Sequence, residues 1–458
     1  MEIPPRLLVV AACSLVLLAP ASPTFAVGSE RVDLSAVKAV ASATDEPKRA
    51  AAYARFLGEL ATDSDMPIDT RLHRAWAAYL LAANDEERGR LLAYAATIPD
   101  ARARMLIGSF REFPALRKAW SDADRAHSAL LLKDRPRVVA PGEKRPAPRD
   151  VYGPNPFDAP FTADRWSDPH GFVGRWAATG ITLDLVAYPA DNFIATLSGF
   201  DGHERRLLGF RSGSTLTLLG HDARGTLRDG RLTLQLSEER IDLRRTPVGK
   251  TYFAQRPAAA RVLLDDTTGL IHFRHANAEA AWKILPDGSV EIDPAKGSLF
   301  TKDAWGDLRG YLEFRHAYNS ESLGPRRGNS GLYLFNSYEI QLIDSFGLPP
   351  AETSEGSVYH LAVPRVTVSA PPLEWQSLEF DFRAPRFDAA GRKTASARLT
   401  LWLNGVKLHD DVEIPHPTGG SPAGGREQTD VPGPQGFMLQ NHGGLLQFRN
   451  IWVLPAEI

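Results

Sequence analysis

Apolar residues in the N-terminal part of the chain recur at the spacing of a helix face. Tyr53, Phe56, Leu57 and Leu60 form one such group, with the three- and four-residue intervals of an amphipathic helix. Prolines farther along divide the segment into shorter helices, because proline is tolerated in the first turn but not in the interior. The pattern predicts a helical domain over residues 27–134.

The period of the pattern changes after a stretch that favours neither helix nor strand. Residues 135–165 are dense in proline and polar side chains, a composition typical of an interdomain linker. From residue 166 to 250, short runs such as "ITLDLVAY" and "RLTLQLS" alternate apolar and polar positions between turn residues. This alternation predicts a small antiparallel β-domain.

Alternating runs continue from residue 256 to 458, with no helical pattern between them. They include "YLEFRH", "GLYLF", "YEIQLID" and "LLQFRNIWVL". Asn404-Gly405 separates two such runs and predicts a tight hairpin turn, because both residue types tolerate positive φ. We therefore predict a multidomain, mainly β protein with a helical N-terminal domain and a C-terminal two-sheet sandwich of jelly-roll type.

The first 26 residues have the layout of a cleavable secretory signal. Arg6 precedes an apolar run from Leu7 to Ala19, which is followed by small residues. This run is too short to span a bilayer comfortably, so we expect no transmembrane segment and a periplasmic or secreted protein. Cys13, the chain's one cysteine, leaves a lipoprotein as the less favoured alternative, because apolar residues continue beyond it.

Charge and cysteine content narrow the class of protein further. The formal net charge is -2, with arginines and acids interspersed, which argues against nucleic acid or an anionic membrane as partner. Removal of the leader would leave no cysteine, so packed cores rather than disulfides must stabilise the mature protein. A small neutral substrate fits this composition.

One run, "YEIQLID", places a carboxylate and an amide on the same face of a predicted strand. Because side chains alternate, Glu339 and Gln341 share one face while Tyr338, Ile340 and Leu342 share the other. A two-residue turn at Asn336-Ser337 would set Leu334 opposite Glu339 and Leu332 opposite Gln341. This polar face is either a solvated outer surface or a set of hydrogen-bonding groups for sugar hydroxyls. Near-absence of lysine from these strands favours the second interpretation.

The order of motifs resembles a known family. The segments "SLFTKDAWGDLRGYLEFR", "GNSGLYL", "YEIQLIDSFG" and "GFMLQNHGGLLQFRNIWV" are similar in sequence and spacing to the 3-keto-disaccharide hydrolase family, over about residues 261–455. The resemblance implies a concanavalin A-like sandwich that acts on glycosides with a ketone at C3. It implies elimination across C1 and C2 (a 3-keto-glucoside 1,2-lyase) followed by hydration of the 2-hydroxy-glucal.

The implied chemistry assigns roles to particular side chains. A C3 ketone acidifies the C2 proton, so cleavage needs a base, a stabiliser for the enolate oxygen and an acid at the leaving group. Glu339 and His442 are the expected base and acid, in either order, and Arg449 or a bound cation is expected at the enolate oxygen. Residues expected to bind or orient the sugar are Glu313, Gln341, Gln440, Asn441, Trp305 and Trp375.

Several expectations stay open at this point. Trp305 and Trp375 are either sugar platforms or core residues. The sequence reads "LQNHG" at Asn441, where the family pattern has "LQDHG", and has His360 where glycine is common, so a role that needs a carboxylate at position 441 is in doubt. No cofactor is certain; a divalent metal ion held by Glu339, Asp344 and His442 is conceivable, although their spacing does not establish it.

Two other function classes compete with the lyase. A retaining sandwich glycosidase would carry two carboxylates on one strand face at i and i+4, but the residue four after Glu339 is Ile343. A non-catalytic glycan-binding or scaffold protein is the other alternative. The lyase reading further implies a partner oxidoreductase that oxidises the sugar at C3.

Overall fold

We describe the protein from a computed structural model. The described residues are 39–40, 43, 45–62, 68–99, 103–110, 113–133, 165–188, 192–199, 204–220, 223–236, 239–250, 256–319, 327–348, 350–418 and 430–455. The predicted signal peptide (1–26) and nearly all of the predicted linker (135–165) lie outside them. Strands make up 41% and helices 19%, which confirms a mainly β chain with an N-terminal helical region.

The N-terminal region is a set of helices around one apolar core. Tyr53, Phe56 and Leu60 are buried on one face of the first helix, as their spacing predicts. The core extends to Leu208, which lies on a strand of the following β-structure. The helices are α1 (Glu46–Thr62), α2 (Ile68–Leu81), α3 (Asp85–Ala95), α4 (Ala103–Ser109) and α5 (Arg117–Lys133), with a 3-10 turn at Pro114–Leu116.

Eight antiparallel strands then close into a barrel, since the first strand pairs with both the second and the eighth. Its interior is filled by leucines such as Leu183, Leu197 and Leu234, which are fully buried. The strands are β1 (Gly174–Ala178), β2 (Ile181–Tyr188), β3 (Asn192–Ser198), β4 (Glu204–Ser212), β5 (Thr215–Leu219), β6 (Ala223–Arg228), β7 (Arg231–Leu236) and β8 (Glu239–Thr246).

Strands β9 to β23 follow, and their main sheets enclose one shared core. All their pairings are antiparallel, and no helix occurs among described residues 256–455. The strands are β9 (Arg261–Leu264), β10 (Phe273–Arg274), β11 (Lys283–Ile284), β12 (Val290–Glu291), β13 (Leu299–Thr301), β14 (Leu308–His316), β15 (Asn329–Leu334), β16 (Tyr338–Ile343), β17 (Gln376–Arg383), β18 (Arg386–Phe387), β19 (Lys393–Ala395), β20 (Ala397–Leu403), β21 (Val406–Ile414), β22 (Met438–Leu439) and β23 (Leu446–Pro455).

The two sheets differ in size and carry different polar residues. The five-stranded sheet has the order β10-β13-β22-β15-β16, and the eight-stranded sheet has the order β11-β12-β23-β14-β17-β20-β21, with β9 also paired to β23. In each sheet one side chain in two faces the shared core and the next faces outward. The predicted Asn404-Gly405 turn is confirmed: Leu403 pairs with Val406, and the two turn residues have φ of 52° and 75°.

The turn between β15 and β16 is one residue longer than predicted, so the predicted register is wrong. Phe335, Asn336 and Ser337 form the loop, and the first two have φ of 57° and 51°. A one-residue change in a hairpin moves each side chain to a new partner. The observed pairs include Leu334 with Tyr338, Tyr333 with Glu339, and Gly331 with Gln341.

We expect Gly310→Ala to destabilise the sandwich. Gly310 pairs with Phe380 across β14 and β17, and a methyl group there would overlap the buried Phe380 ring. Overpacking of this kind costs about 1–3 kcal/mol. Urea unfolding should show a lower midpoint, whereas the control Gly306→Ala, where a methyl meets no atom within 4 Å, should leave it unchanged. Equal midpoints for both variants would contradict the packing described.

Candidate active site on the five-stranded sheet

The outward face of the five-stranded sheet brings the key polar groups together in two rows. In one row Tyr333 lies between Met438 of β22 and Glu339 of β16. In the next row Gly331 lies opposite Gln341, and its carbonyl oxygen accepts a hydrogen bond from the Gln440 backbone nitrogen (2.8 Å). The three strands β22, β15 and β16 therefore position these side chains as neighbours.

Glu339 is a buried carboxyl group with one strong hydrogen bond. Its side chain belongs to a residue that is only 4% exposed, and the Tyr333 hydroxyl donates to Oε2 at 2.7 Å. Burial disfavours the charged form and raises the pKa of Glu339 to about 7, while the Tyr333 hydrogen bond opposes that rise. A carboxyl group with a pKa near neutrality can both take and return a proton at physiological pH.

Gly331 makes room for this carboxyl group. A Cβ atom at position 331 would lie 2.6 Å from Glu339 Oε1 and 3.1 Å from Tyr333 Cε2. A larger residue would therefore displace the side chains that flank the glycine. Glycine at this position lets the Glu339 carboxyl group lie over β15, with Gln341 and Gln440 on the two strands beside Gly331.

Three buried polar atoms on this face have no hydrogen-bond partner among the described residues. They are Gln341 Oε1, Gln440 Oε1 and Ser357 Oγ. Ser357 lies beside β16, where its carbonyl oxygen accepts from the Gln341 backbone nitrogen (3.0 Å). Asn329 and Tyr359 at the edge of the group are partly exposed. The site thus has a buried floor of unpaired polar atoms and a more accessible rim.

Arg449, Glu313 and Trp375 lie elsewhere, so the predicted convergence of Arg449 with Glu339 is wrong. Arg449 is on β23 of the eight-stranded sheet, where Nε donates to Glu313 Oε2 at 2.6 Å and the guanidinium carbon lies 4.0 Å from the Trp375 ring centroid. Their strand neighbours face the shared core, among them Phe314 and Phe448. These polar groups therefore point outward from the opposite side of the sandwich.

Two other expected sugar contacts are structural. Trp305 is 8% exposed and stacks on Phe437 in the core at a centroid distance of 6.0 Å, so the core reading of this tryptophan holds. Asn441 uses Nδ2 to donate to the backbone oxygens of Asp293 and Lys296. An ionised aspartate could not donate these bonds, which gives asparagine a physical reason at this position.

His442 lies outside the strands, three residues after the end of β22, and is exposed. The expected metal ligand set is not assembled: Asp344 is buried and accepts from Arg327 Nη2 at 3.2 Å and from the Phe346 backbone nitrogen at 3.1 Å. Among the described residues there is no group of three or more His, Cys, Asp or Glu side chains placed to hold an ion.

Tyr333 and Ser357 are site residues that reasoning from the sequence missed. Tyr333 stands in the quoted strand "GNSGLYL", but the predicted turn put leucines opposite Glu339 and Gln341. Ser357 belongs to "SVYHLAVP", a segment noted only for His360. A three-residue loop was the alternative that would have found Tyr333, whereas no local pattern indicates that Ser357 lies beside β16.

Fold and site together define a β-sandwich with a buried carboxyl group whose pKa is about 7, beside two amide oxygens that have no hydrogen-bond partner among the described residues. Residues 259–454 match the family described as the 3-keto-alpha-glucoside-1,2-lyase-like domain, which confirms the resemblance for this segment. No curated protein matches the chain.

Two solved structures are also similar, both of proposed glycosyl hydrolases from Parabacteroides distasonis ATCC 8503. The one at 2.13 Å resolution is 28% identical, covers 43% of this chain and 84% of its own, and has a TM-score of 0.40. The one at 1.70 Å is 18% identical, covers 46% and 100%, and has a TM-score of 0.32. The similarities concern less than half of this chain.

The titration of Glu339 should appear in the stability of the protein. The unfolded carboxyl releases its proton near pH 4.5 and the native one near 7, so between these values the native state holds an extra proton and stability falls as pH rises. Glu339→Gln lacks this titration. The difference in free energy of unfolding between the variant and the parent should therefore increase in favour of the variant across that pH window, by on the order of 3 kcal/mol. At pH values above the window the difference should increase no further.

Urea unfolding at a series of pH values measures this difference. Glu279→Gln is the control, because that side chain is 85% exposed and pairs only at the surface with Lys302; its difference from the parent should stay flat. A pH-independent difference for Glu339→Gln would show that the buried carboxyl does not titrate as described.

Proposed function

We propose that the sandwich cleaves 3-keto-glycosides by elimination across C1 and C2 and then hydrates the 2-hydroxy-glucal product. The family match supports a carbohydrate-active enzyme and a small sugar substrate. The observation that supports the specific reaction is Glu339: its pKa is about 7 because it is buried, and Oε1 lies over Gly331.

In the elimination step Glu339 takes the proton from C2, which the adjacent C3 ketone has made acidic. The electron pair of the broken C–H bond forms the enolate and then the C1–C2 double bond, as the C1–O bond breaks. His442 protonates the departing oxygen. Water then adds to C1 and gives its proton to His442, while Glu339 returns a proton to C2, so that the net result is hydrolysis of the glycoside and both groups regain their starting state.

The C3 oxygen needs a hydrogen-bond donor as negative charge develops on it. Arg449 was the expected group, but it is paired with Glu313 on the other sheet. We assign this role instead to the Ser357 hydroxyl, which is buried, unpartnered and beside β16. A preorganised hydroxyl that does not have to leave another partner can donate to a developing oxyanion without reorganisation.

Direct hydrolysis of an unoxidised glycoside is the weaker proposal. The position four after Glu339 is Ile343, a buried core residue, so β16 does not present the second carboxylate that a retaining sandwich glycosidase requires. A non-catalytic glycan-binding or scaffold protein remains the second candidate, since the orphan amide oxygens favour sugar binding with or without turnover. Binding of plain glycans without turnover of 3-keto substrates would favour it.

The sequence also supports proposals about the localisation, the partner enzyme and the domain organisation of the protein. The leader implies a periplasmic or secreted protein, and an oxidoreductase that converts the C3 hydroxyl to a ketone would supply the substrate. We also propose that the sandwich is of the concanavalin A-like jelly-roll type and that the three apolar cores are separate domains. No helix in the described ranges has the length and apolar character needed to cross a membrane.

A 3-keto-glucoside with a chromogenic leaving group should be cleaved, and the parent glucoside with a C3 hydroxyl should not. Glu339→Gln and His442→Ala should each slow cleavage by roughly 10²- to 10⁴-fold, the usual scale for a positioned acid or base. Assays with and without chelator record any dependence on a metal ion. Melting curves confirm that the variants are folded; full activity in both would refute the assignment, and equal cleavage of both sugars would refute the elimination.

Tyr333→Phe should shift the pH dependence of activity upward. The Tyr333 hydroxyl favours the charged carboxylate, so its loss raises the pKa of Glu339 beyond about 7. The acidic limb of kcat/KM, which reports the free enzyme, should move to higher pH. Tyr53→Phe is the matched control because it loses one buried hydrogen bond, to the Ala78 carbonyl in the helical region (3.0 Å), and its limb should not move. If the acidic limb does not move in Tyr333→Phe, the limb does not report the titration of Glu339.

A further inference from the structure

Two of the unpaired atoms in the site are side-chain amide oxygens. The nitrogen of each amide already donates one hydrogen bond within the protein. Gln440 Nε2 donates to the Tyr333 hydroxyl at 3.3 Å, and Gln341 Nε2 donates to Asn329 Oδ1 at 2.7 Å. Both Oε1 atoms are buried and accept no hydrogen bond from any described residue. Each glutamine therefore presents an unpaired acceptor oxygen, beside a nitrogen that has used one of its two N–H groups.

The orientation of Gln440 follows from its neighbours. Tyr333 gives its only hydroxyl proton to Glu339, so its oxygen can only accept from Gln440, which must direct its nitrogen toward Tyr333. A buried acceptor without a partner costs about 1–3 kcal/mol. Two such atoms on either side of one glycine therefore destabilise the free protein. A bound ligand that donates a hydrogen bond to each would remove this destabilisation.

The chemistry of a 3-keto sugar decides which of its edges can face these oxygens. The C3 ketone is itself an acceptor and cannot pair with an amide oxygen, whereas ring hydroxyls donate. A 3-keto-glucosyl ring has free hydroxyls at C2, C4 and C6. Because the C2 hydroxyl is on the carbon that Glu339 is proposed to deprotonate, the C4 and C6 hydroxyls are the donors left for the two amide oxygens.

We propose that Gln341 and Gln440 form a specificity site that accepts hydrogen bonds from the C4 and C6 hydroxyls of the sugar. The inference rests on the proposed function in one respect, the placement of C2 at Glu339. Gln440 is the partly exposed member of the pair and Gln341 is 2% exposed, so the sugar enters along the Gln440 side.

Binding can be measured without turnover by using a probe that has no leaving group. The probe is 1,5-anhydroglucitol oxidised to the ketone at C3, together with its 4-deoxy and 6-deoxy analogues, titrated into the full chain by calorimetry. Each deoxy analogue should bind about 10- to 100-fold more weakly, because it leaves one buried oxygen unpaired. Equal affinities for the three compounds, or no binding of the parent probe, would overturn the proposal.

Variants provide a second readout that does not depend on the sugar chosen. Gln341→Met and Gln440→Met each remove an unpaired oxygen together with one donated hydrogen bond, so their melting temperatures without ligand should fall less than that of the control variant, while probe affinity falls about 10- to 100-fold. The control is Gln447→Met: Gln447 is 2% exposed and fully paired, accepting from Arg315 (2.7 Å) and donating to Glu291 (2.8 Å). It should melt lower and bind the probe unchanged.

The two proposals fail separately. If the chromogenic 3-keto-glucoside is not cleaved but the deoxy analogues still bind weakly, the specificity site stands and the lyase proposal falls. If cleavage proceeds while Gln341→Met and Gln440→Met bind the probe as tightly as the parent, the specificity site falls and the lyase proposal stands. Low melting of either glutamine variant with parent-like affinity would also show that the amide oxygens are structural.

Discussion

The hydrogen bond from Tyr333 to Glu339 is the interaction on which the candidate site depends. It places a carboxyl group in a buried position above a glycine, where desolvation brings its pKa to about 7. It also fixes the direction of Gln440 and so leaves that amide's oxygen unpaired. The three-residue loop at 335–337 makes this bond possible because it sets Tyr333 opposite Glu339.

The sandwich divides its polar residues between two outward faces with different chemistry. On the eight-stranded sheet, Glu313 pairs with Arg449, and Trp375 contacts the guanidinium groups of Arg449 and Arg315, the latter also over Trp166. These groups neutralise and cover one another, as in a structural network. On the five-stranded sheet, by contrast, the side-chain oxygens of Gln341 and Gln440 are buried without a partner among the described residues. These unsatisfied oxygens, rather than charged groups, mark the candidate site.

The sequence predicted the parts that depend on local periodicity. Alternation in "YEIQLID" was enough to put Glu339 and Gln341 on one outward face, and Asn404-Gly405 was enough to predict a hairpin. Loop length was not predictable in the same way, because Asn336 tolerates positive φ in two-residue and three-residue turns alike. The one-residue difference in loop length decides which residues lie opposite Glu339 and Gln341: two leucines in the shorter loop, or Tyr333 and Gly331 in the longer one.

The second feature that the sequence did not predict is which sheet each strand joins. Arg449 has the residue type and the alternating position expected of an oxyanion partner, yet β23 pairs with β14 in the other sheet. Long-range pairing of this kind is set by the whole core rather than by any short motif. For the same reason Ser357, which lies outside the named strands and beside β16, has no signal in its own segment.

The most direct test of the account is the fate of the C2 hydrogen when a 3-keto-glucoside is cleaved in heavy water. Elimination followed by hydration breaks the C2–H bond and rebuilds it with a solvent proton, so NMR should show one deuterium at C2 of the released sugar at early times. An enzyme-free sample of the same 3-keto sugar corrects for spontaneous exchange beside the ketone. Product that retains its original C2 hydrogen, with substrate deuterated at C2 cleaved no more slowly than the protiated substrate, would contradict the account. Retention alone would not, because Glu339 both takes and returns the C2 proton.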